Sequence, residues 1–409
     1  MNIALMTNNY KPFIGGVPIS IERLAKELIR AGHEVTVFAP TYEEQREAEH
    51  IQEKAEGKVF RYAAFSKRVM GGVLVPNPFD RRIEKEFKKQ RFDVIHVHHP
   101  MLIGQTAVYL SQKYNIPLAF TYHTRYEQYV TAFSGTDFFE PFLPYFLRTF
   151  LKYCDVVCTP TAGLQDYLKT SCRVPTDKLA ILPTGLEEHS YERNEEKVQE
   201  IRNRLQAEDC PLFLTVARLS PEKNIDFLIE SMAEVKRRSS KPFRWVIVGD
   251  GPDRTYFEEK CRSLSLTEVC FTGKLPNEET DNYYHAADAF LFASKTETQG
   301  IVLLESFAGK TPVFALCATG VEDLVKNGEN GFLTSENISL YAEKVTDFLE
   351  GCCDTEALSQ GAYATACDYR EEAVAIHAIR LYNRIIAVRN ECKISGIEGQ
   401  TWKTTSITY

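Results

Sequence analysis

The chain has 409 residues, which is too many for one hydrophobic core and predicts two domains of roughly 200 residues each. Its 44% apolar and 25% charged residues are typical of soluble globular proteins, and no apolar run approaches the ~20 residues of a membrane span. The net charge is -8, the strand-like start predicts no signal peptide, and eleven cysteines without a Cys-x-x-Cys pair favour reduced thiols in the cytoplasm.

The first half of the chain alternates strand-like and helix-like segments. Short apolar runs predict strands at Asn2–Thr7, Glu34–Ala39, Asp93–Val97, Leu118–Tyr122 and Val156–Thr159. Apolar residues at helical spacing predict helices at Val17–Arg30, Gln105–Tyr114 and Pro144–Tyr153. This alternation predicts an α/β domain with a parallel sheet covered by helices.

The second half repeats the alternation. Strands are predicted at Leu212–Val216, Arg244–Val248, Val269–Phe271, Ala289–Phe292 and Val313–Ala315, and helices at Asp226–Arg238, Asp253–Ser263, Thr280–His285 and Ile301–Ala308. We expect a first domain at 1–187, a second at 188–368, a long final helix within 369–390 and a polar tail at 391–409. Two doubly wound, Rossmann-like domains that face one another would form a cleft between their strand ends.

The most informative segment is Ser294–Glu305, which follows an apolar run and opens a helical pattern. Glu297 then lies in a strand-to-helix turn and Glu305 about one turn inside the helix. Open α/β sheets bind ligands at such turns. Carboxylates accept hydrogen bonds from hydroxyls, and the free backbone N–H groups of a helix start favour an anion. The pattern therefore predicts a nucleotide-sugar site.

Glycines mark two further strand-to-helix turns. Gly15 and Gly16 precede the first helix, where glycine permits close approach of a phosphate, although such a turn also occurs without a ligand. Gly249 and Gly251 follow a later strand, but Arg254 stands where a dinucleotide-binding fingerprint needs its third glycine. We therefore expect no nicotinamide or flavin cofactor.

Charged residues suggest one anion site and no metal site. Arg218 and Lys223 lie in one loop after a strand and could clamp a diphosphate, or they could be solvated surface cations. The histidines at positions 96, 98 and 99 end a strand pattern without a convincing set of carboxylate or cysteine ligands. No metal is expected there.

Taken in order, these motifs resemble the retaining, nucleotide-sugar-dependent glycosyltransferases of family 4, which have the GT-B fold. The resemblance covers nearly the whole chain. It rests on the Gly15-Gly16 loop, His123 in Thr-Tyr-His-Thr, the Arg218/Lys223 loop, Gly249-Asp-Gly-Pro, Phe271-Thr-Gly273, Glu297 with Glu305, and Ala308-Gly-Lys-Thr-Pro-Val313.

This resemblance implies the role of each site residue. Arg218 and Lys223 would hold the donor diphosphate, Glu305 the nucleotide ribose and Glu297 the transferred sugar, with His123 lining the sugar site from the other domain. His123 and Glu297 are the implied catalytic residues. The implied donor-binding set is Gly15, Gly16, Arg218, Lys223, Gly249, Gly273, Thr298, Gln299, Gly300, Ile301 and Glu305. No metal or other cofactor would be required, and the final helix would cross back to the first domain.

One departure from the family pattern points to a particular subgroup of the family. Thr298-Gln299-Gly300 replaces the Phe-Gly that many members carry between the two glutamates. Together with the segment from His123 to Tyr129, it is similar to bacterial diacylglycerol glucosyltransferases, which use a UDP-sugar at the cytoplasmic membrane face. This similarity implies transfer of a hexose, glucose from UDP-glucose, to a lipid acceptor by an enzyme peripheral on the inner face of the cell membrane.

A basic segment and an aromatic segment bear on a membrane partner. Residues 58–91 contain ten basic and three acidic side chains, whereas residues 186–409 contain 25 basic and 37 acidic ones. An anionic membrane surface would attract the first segment, which could equally be a solvated face. The candidate membrane or acceptor residues are Lys67, Arg68, Arg81, Arg82, Lys85, Lys88, Lys89 and Tyr126. Seven aromatics within Phe138–Tyr153 could line a lipid groove or pack in the core.

Three functions remain open from the sequence. The first is a lipid glycosyltransferase, and the second is the same donor chemistry with a soluble or polysaccharide acceptor. The third is a nucleotide-sugar isomerase or a non-catalytic protein of this fold, which the complete set of Arg218, Lys223, Glu297 and Glu305 disfavours. No nucleic-acid partner is expected.

Overall fold

The computed structural model describes residues 1–13, 15–42, 51–54, 57–69, 73–123 and 143–394. The chain packs as two units, one made of Met1–Gly185 with the residues from Glu371 onward and one made of Leu186–Arg370. In the described ranges, no helix is both long enough and apolar enough to span a membrane.

The first unit is built on a mostly parallel sheet. Its strands are β1 (Asn2–Met6), β2 (Glu34–Pro40), β3 (Ile51–Lys54), β4 (Gly57–Tyr62), β7 (Val94–Val97), β8 (Leu118–Thr121), β9 (Val156–Thr159) and β10 (Leu179–Ile181), while β5 (Ala64–Val69) and β6 (Val73–Pro76) form a separate antiparallel pair. The sheet order is β10-β9-β8-β7-β1-β2-β4-β3, with β3 antiparallel to β4. Because β7, β1 and β8 run in the same direction, their carboxyl ends lie along one edge.

Helices cover both faces of this sheet. They are α1 (Gly16–Arg30), α2 (Arg81–Phe87), α3 (Ile103–Tyr114), α4 (Leu143–Leu151) and α5 (Gly163–Thr170). One core joins α2, α3, α4 and α5 to the sheet, and the other joins it to α1. In α4, Leu143, Leu147 and Phe150 are buried in the first of these cores, so the core interpretation of the aromatic segment holds for this helix. Tyr145 and Tyr153 are exposed.

The second unit is a parallel sheet with helices on both faces. Its strands are β11 (Leu212–Val216), β12 (Arg244–Val248), β13 (Val269–Gly273), β14 (Ala289–Phe292), β15 (Val313–Leu316) and β16 (Gly331–Thr334), in the order β13-β12-β11-β14-β15-β16. Its helices are α6 (Glu195–Arg204), α7 (Ile225–Arg238), α8 (Arg254–Ser263), α9 (Asn277–Ala286), α10 (Ile301–Ala308), α11 (Ile338–Glu350) and α12 (Thr355–Cys367). Cores on the two faces contain α7, α8 and α11 on one side and α6, α9, α10 and α12 on the other.

The last helix, α13 (Glu371–Ile394), belongs to the first unit. Its residues Val374, Ala378, Leu381 and Ile385 share a core with α1 and β1. The chain therefore leaves the first unit after Gly185, forms the second, and returns to complete the first core.

Candidate active site

The loop after β11 carries Arg218 and Lys223 and packs closely against the end of β12. Ala217 N donates to a β12 carbonyl at 3.1 Å, and Gly249 N donates to Gly273 O at 2.9 Å. Gly249 has a φ of +140°, and a Cβ placed on it would lie 1.9 Å from Ala217 O. Gly249 and Gly273 thus allow the loops after β11, β12 and β13 to meet at one edge of the sheet.

Lys223 is paired with a carboxylate, whereas Arg218 is exposed to solvent. Lys223 Nζ lies 2.6 Å from Glu297 Oε1, with 23% and 19% of the two side chains exposed. In the described ranges, Arg218 has no carboxylate within ion-pair distance. The loop therefore presents one cation already joined to a carboxylate and a second whose fork of N–H groups is open to an anion.

Glu297 lies in the turn between β14 and α10, where Gly320 fixes the backbone. Gly320 has a φ of +83°, and a Cβ on it would lie 2.8 Å from Glu297 O and 3.1 Å from Thr298 O. It follows β15, the strand beside β14. Sequence reasoning missed Gly320, for which the only available signal is a single glycine shortly after a strand pattern.

The rest of this turn leads directly into α10. Thr298 is partly exposed, Gln299 is buried, and Gly300 adopts a left-handed conformation with a φ of +73°. Ile301 is the first residue of the helix. The first N–H groups of a helix have no partner within it, so an anion beside Ile301 would find donors and the positive end of the helix dipole.

Glu305 points toward Tyr284, a partner that the sequence analysis did not identify. Tyr284 Oη donates to Glu305 Oε2 at 3.0 Å, and Tyr284 is 1% exposed. Burial, reinforced by the charge of Glu305, raises the pKa of Tyr284 well above its usual value. Tyr284 is therefore a neutral donor that orients Glu305. From the sequence alone, a tyrosine at helical spacing such as Tyr284 indicates only that the residue packs in the core.

In the first unit, Gly15 and Gly16 stand at the start of α1. Gly15 is extended, and a Cβ on it would meet the ring of Phe13 at 3.1 Å. A Cβ on Gly16 would meet no described atom within 4 Å. Gly16 thus leaves the amino end of α1 uncovered, as a phosphate contact would require.

His123 follows β8 and joins a cluster of buried histidines at the carboxyl ends of β7 and β8. His123 Nε2 lies 2.8 Å from His98 Nδ1, with the rings stacked at a centroid distance of 5.1 Å. The ring of His96 lies 4.3 Å from that of His98. His99 Nδ1 accepts a hydrogen bond from Asn8 N at 3.2 Å.

These histidines are neutral at physiological pH. Burial lowers the pKa of His96 to about 3 and that of His99 to about 4. Burial and the neighbouring histidines lower the pKa of His123 to about 3 and that of His98 well below its usual value. His123 can therefore donate or accept one hydrogen bond on each nitrogen, but it carries no positive charge at pH 7.

The basic residues of the sequence analysis divide into paired and unpaired cations. The ion pairs join Arg82 to Asp80 at 2.7 Å, Lys88 to Glu84 at 3.5 Å and Lys89 to Glu86 at 2.5 Å. Arg81 and Lys85 on α2 are exposed and, within the described residues, have no ion-pair partner. The net positive charge is therefore carried by fewer open cations than the composition suggests.

Two large apolar side chains are exposed beside α2. Phe79 is 81% exposed and directly precedes the N-cap residue Asp80, and Phe65 on β5 is 62% exposed. Ala63 N donates to Asp80 Oδ2 at 2.8 Å, which holds the start of β5 against the start of α2. We call Phe65, Phe79, Arg81 and Lys85 the α2 surface.

Other members of the basic segment are not part of this surface. Arg61 is 1% exposed and donates to the carbonyls of Pro40 and Lys11 at 3.1 and 2.8 Å. Lys67 and Arg68 lie on β5, and their side chains are outside the described residues, as is the whole of Tyr126. The described residues contain no group of three or more His, Cys, Asp or Glu placed to hold a metal ion.

Comparison with known proteins identifies relatives along the whole chain. Residues 14–189 match the model described as Glycosyltransferase Family 4, and residues 197–365 match the one described as Glycosyl transferases group 1. Alpha-monoglucosyldiacylglycerol synthase of Streptococcus pneumoniae is 33% identical over 77% of this chain and 71% of that protein. The protein of the same name from Acholeplasma laidlawii is 27% identical over 96% and 99%.

Two further comparisons show the breadth of the relationship. A D-inositol 3-phosphate glycosyltransferase of Acidothermus cellulolyticus is 28% identical over 92% of this chain and 87% of that protein. A sucrose-phosphate synthase structure from Thermosynechococcus elongatus superposes with a TM-score of 0.76 at 20% identity, covering 95% of this chain and 100% of that one. The structural likeness supports the two-domain fold predicted from the sequence.

Proposed function

The chain belongs to the family 4 glycosyltransferases of the GT-B fold, and on that basis we propose that it is a retaining enzyme that moves glucose from UDP-glucose to a lipid acceptor such as diacylglycerol. The observation that supports the choice of donor is the contact of Lys223 with Glu297. Glu297 lies just before α10, and Glu305 lies within that helix. The contact joins a phosphate-binding cation to a hydroxyl-binding carboxylate.

The donor would lie along the carboxyl edge of the second sheet. Arg218, Lys223 and the first N–H groups of α10 are donors for the diphosphate, whose charge grows as its bond to the sugar breaks. Glu305, oriented by Tyr284, accepts from ribose hydroxyls, and Glu297 accepts from the sugar. These two cations supply the stabilisation that a divalent metal provides in other enzymes, so we expect no metal requirement.

Family membership supports retention of configuration, and the contact of Glu297 with Lys223 is consistent with it. A carboxylate paired with Lys223 is a weak nucleophile, because the cation stabilises its charge. We therefore favour departure of the phosphate and attack of the acceptor on the same face of the sugar.

The lipid half of the proposal is supported by the α2 surface and by the names of two relatives. Exposed phenylalanines beside open cations suit an interface where apolar groups enter the headgroup region and cations meet anionic lipid. The alpha-monoglucosyldiacylglycerol synthases align with most of this chain. An enzyme that binds in this way would be peripheral on the inner face of the cell membrane.

A second candidate has the same donor and a soluble or polysaccharide acceptor. The ion pairs of Arg82, Lys88 and Lys89 favour it, because they reduce the positive field available to a membrane. The D-inositol 3-phosphate glycosyltransferase also aligns over most of the chain.

The deciding experiment uses purified full-length protein with UDP-glucose and vesicles that contain diacylglycerol and anionic phospholipid. We expect a glycolipid whose anomeric proton shows the configuration of the donor, formed equally well with chelator present. Product formed only on a soluble acceptor would favour the second candidate. An inverted anomer would exclude the retaining mechanism, and a panel of other nucleotide sugars in the same assay identifies the donor.

A further inference from the structure

His98 lies next to His123, and the two rings are joined by a hydrogen bond. His98 Nδ1 is 2.8 Å from His123 Nε2, and within the described part of the chain it is the one hydrogen-bond partner of the His123 ring. His98 itself is 1% exposed, and its backbone N donates to Met6 O at 3.0 Å, which ties it to β1. The ring that holds His123 is therefore itself firmly placed.

The protons on this pair have only two possible arrangements. Each ring is neutral, since burial keeps the pKa of both far below pH 7. A neutral imidazole has one N–H and one lone pair. Either His98 donates from Nδ1 to His123 Nε2, or His123 donates from Nε2 to His98 Nδ1.

The other nitrogen of His98 distinguishes these arrangements. His98 Nε2 is buried and has no hydrogen-bond partner among the described residues. His98 is one of the residues that line a narrow cavity of about 10 Å³, together with the donors Ser20 and Arg23 and the carboxylate of Glu371, and none of these groups lies within hydrogen-bond distance of Nε2. If His123 donated, Nε2 would be a buried N–H without an acceptor, whereas an unpaired buried acceptor is tolerated more often. The arrangement in which His98 donates from Nδ1 is favoured.

We propose that His98 is a positioning residue that fixes His123 in the tautomer with its proton on Nδ1, so that His123 presents an N–H donor to an oxygen of the transferred sugar. This role in transfer rests on the proposed function, which places His123 at the sugar. An N–H group fixed in this way selects an oxygen atom with a free lone pair, such as that of a hydroxyl. The ring then needs no rotation or proton exchange when the nucleotide sugar binds.

His96 provides an internal comparison. It is equally buried, and both of its nitrogens are satisfied, Nδ1 by Tyr382 Oη and Nε2 by Thr121 Oγ1, each at 2.7 Å. Its ring is tilted by 33° against that of His98, and within the described residues it forms no hydrogen bond to His123. A change in the His96 bonds should alter stability without altering the tautomer of His123.

The first test is spectroscopic and needs no substrate. Long-range proton–nitrogen NMR of the full chain with ¹⁵N-labelled histidine, assigned by the loss of signals in His123→Gln, reports which nitrogen of His123 is protonated. We expect a protonated Nδ1 and an unprotonated Nε2 in the wild type. In His98→Leu, the His123 ring should instead be a mixture of the two tautomers, with the proton on either Nδ1 or Nε2. A wild-type His123 with its proton on Nε2 overturns the proposal, whatever reaction the enzyme catalyses.

The second test separates positioning from folding. In His98→Asn, the side-chain amide can place an N–H near the position of Nδ1, and His98→Leu retains bulk without a donor. We expect His98→Leu to lower kcat for transfer about tenfold, which corresponds to the loss of one hydrogen bond, and to leave the affinity for UDP unchanged. His98→Asn should have a kcat close to that of the wild type. Tyr382→Phe, which removes a bond to His96, should lower Tm and leave kcat intact.

The outcomes remain distinguishable if a variant is damaged. Full turnover in a folded His98→Leu, or equal loss in the Asn and Leu variants at matched Tm, overturns the proposal. If His98→Leu does not fold, the wild-type tautomer and the His98→Asn kinetics still decide it. If no nucleotide sugar turns over, the proposed function fails while the tautomer measurement stands on its own.

Discussion

Lys223 Nζ lies 2.6 Å from Glu297 Oε1, so the group that we expect to contact the diphosphate and the group that we expect to contact the transferred sugar lie in contact with each other. A donor that binds here must share Lys223 with Glu297 instead of meeting a bare cation. The pair fixes the position of Lys223 and orients the Glu297 carboxylate, which we expect to accept hydrogen bonds from the sugar. Arg218, which is open, can form the first contact with the diphosphate.

We predict that Arg218→Ala and Lys223→Ala each weaken UDP binding and lower kcat/KM about tenfold to a hundredfold, the range for loss of a charge-assisted hydrogen bond. Lys223→Ala should also leave the Glu297 carboxylate unpaired and so reduce kcat more than Arg218→Ala does. Calorimetric titration with UDP and steady-state kinetics measure the two effects.

Lys295→Ala is the matched control for these variants. Lys295 lies two residues before Glu297 and is half-exposed, but it pairs with Glu336 at 2.8 Å. It should change donor binding by less than about threefold, as exposed ion pairs contribute little. Wild-type kinetics in both Arg218→Ala and Lys223→Ala would remove this loop from the active site.

Tyr284→Phe tests the partner of Glu305. Loss of the bond to Glu305 should raise KM for the donor about threefold to tenfold, because the carboxylate that we expect to accept from the ribose loses one of the bonds that orient it. Tyr191→Phe removes a comparable bond, to Ala366 O of α12 at 2.7 Å, which does not involve β14 or the turn that follows it. It should lower Tm without raising KM. Equal kinetic effects of the two variants would indicate a general loss of stability.

Gly320→Ala should perturb the Glu297 turn, because the added Cβ would lie 2.8 Å from Glu297 O. Gly328 is a close control, since it also has a positive φ, +75°, but a Cβ there meets no described atom within 4 Å. Both variants should lose about 1 kcal/mol of stability from backbone strain. Only Gly320→Ala should also raise KM for the donor. A donor KM that is equal in the two variants contradicts the role of Gly320.

The places of the candidate donor-binding residues in the fold could be predicted from the sequence, because these residues lie in or just after short loops that follow recognisable strands. Arg218, Lys223, Glu297 and Glu305 follow β11 and β14, whose apolar runs are continuous, and the predicted strand ends lie within two residues of those observed. Tyr284 could not be predicted, because a buried tyrosine that orients a carboxylate has the same helical spacing as one that only packs.

Structure in the basic segment was missed for a different physical reason. The strand β4 contains Lys58 and Arg61, so its pattern resembles a solvated segment, yet Arg61 is buried through hydrogen bonds to backbone carbonyls. Lys88 and Lys89 pair with carboxylates one helical turn away, and Arg82 pairs with the N-cap residue Asp80, and composition does not reveal these local pairings.

The histidine cluster predicts acid sensitivity of the first unit. The pKa values of His96, His98 and His123 are lower in the folded state than the ordinary value near 6.5. The unfolded chain therefore binds more protons below that pH, so stability is complete above it and falls as the pH decreases toward 4. Each histidine contributes up to about 1.4 kcal/mol per pH unit in this window. Denaturant unfolding at several pH values measures the slope.

The slope should be shallower in His98→Asn, which removes one titrating group but can keep a bond to His123. Carboxylates with lowered pKa, such as that of Asp80, add to the loss only at still lower pH. Stability that does not change between pH 7 and pH 4.5 would contradict the neutral state of these rings in the folded protein.

The α2 surface predicts membrane binding that depends on particular cations. Arg81→Gln with Lys85→Gln should weaken binding to anionic vesicles by about 2 kcal/mol, or roughly 30-fold, since each cation near anionic lipid contributes about 1 kcal/mol. Cosedimentation at low salt measures the loss. UDP binding should not change, because Arg218, Lys223 and Glu297 all belong to the second unit.

Lys88→Gln with Lys89→Gln is the matched control, because it removes the same formal charge from cations that are already paired with Glu84 and Glu86. It should weaken binding less. Phe79→Ser should remove the part of binding that resists salt, since charge pairing with lipid is screened within roughly 8 Å at physiological ionic strength, whereas insertion of an apolar ring is not. If wild-type protein ignores anionic vesicles at low salt, the α2 surface is a solvated face, and a soluble acceptor becomes the leading interpretation.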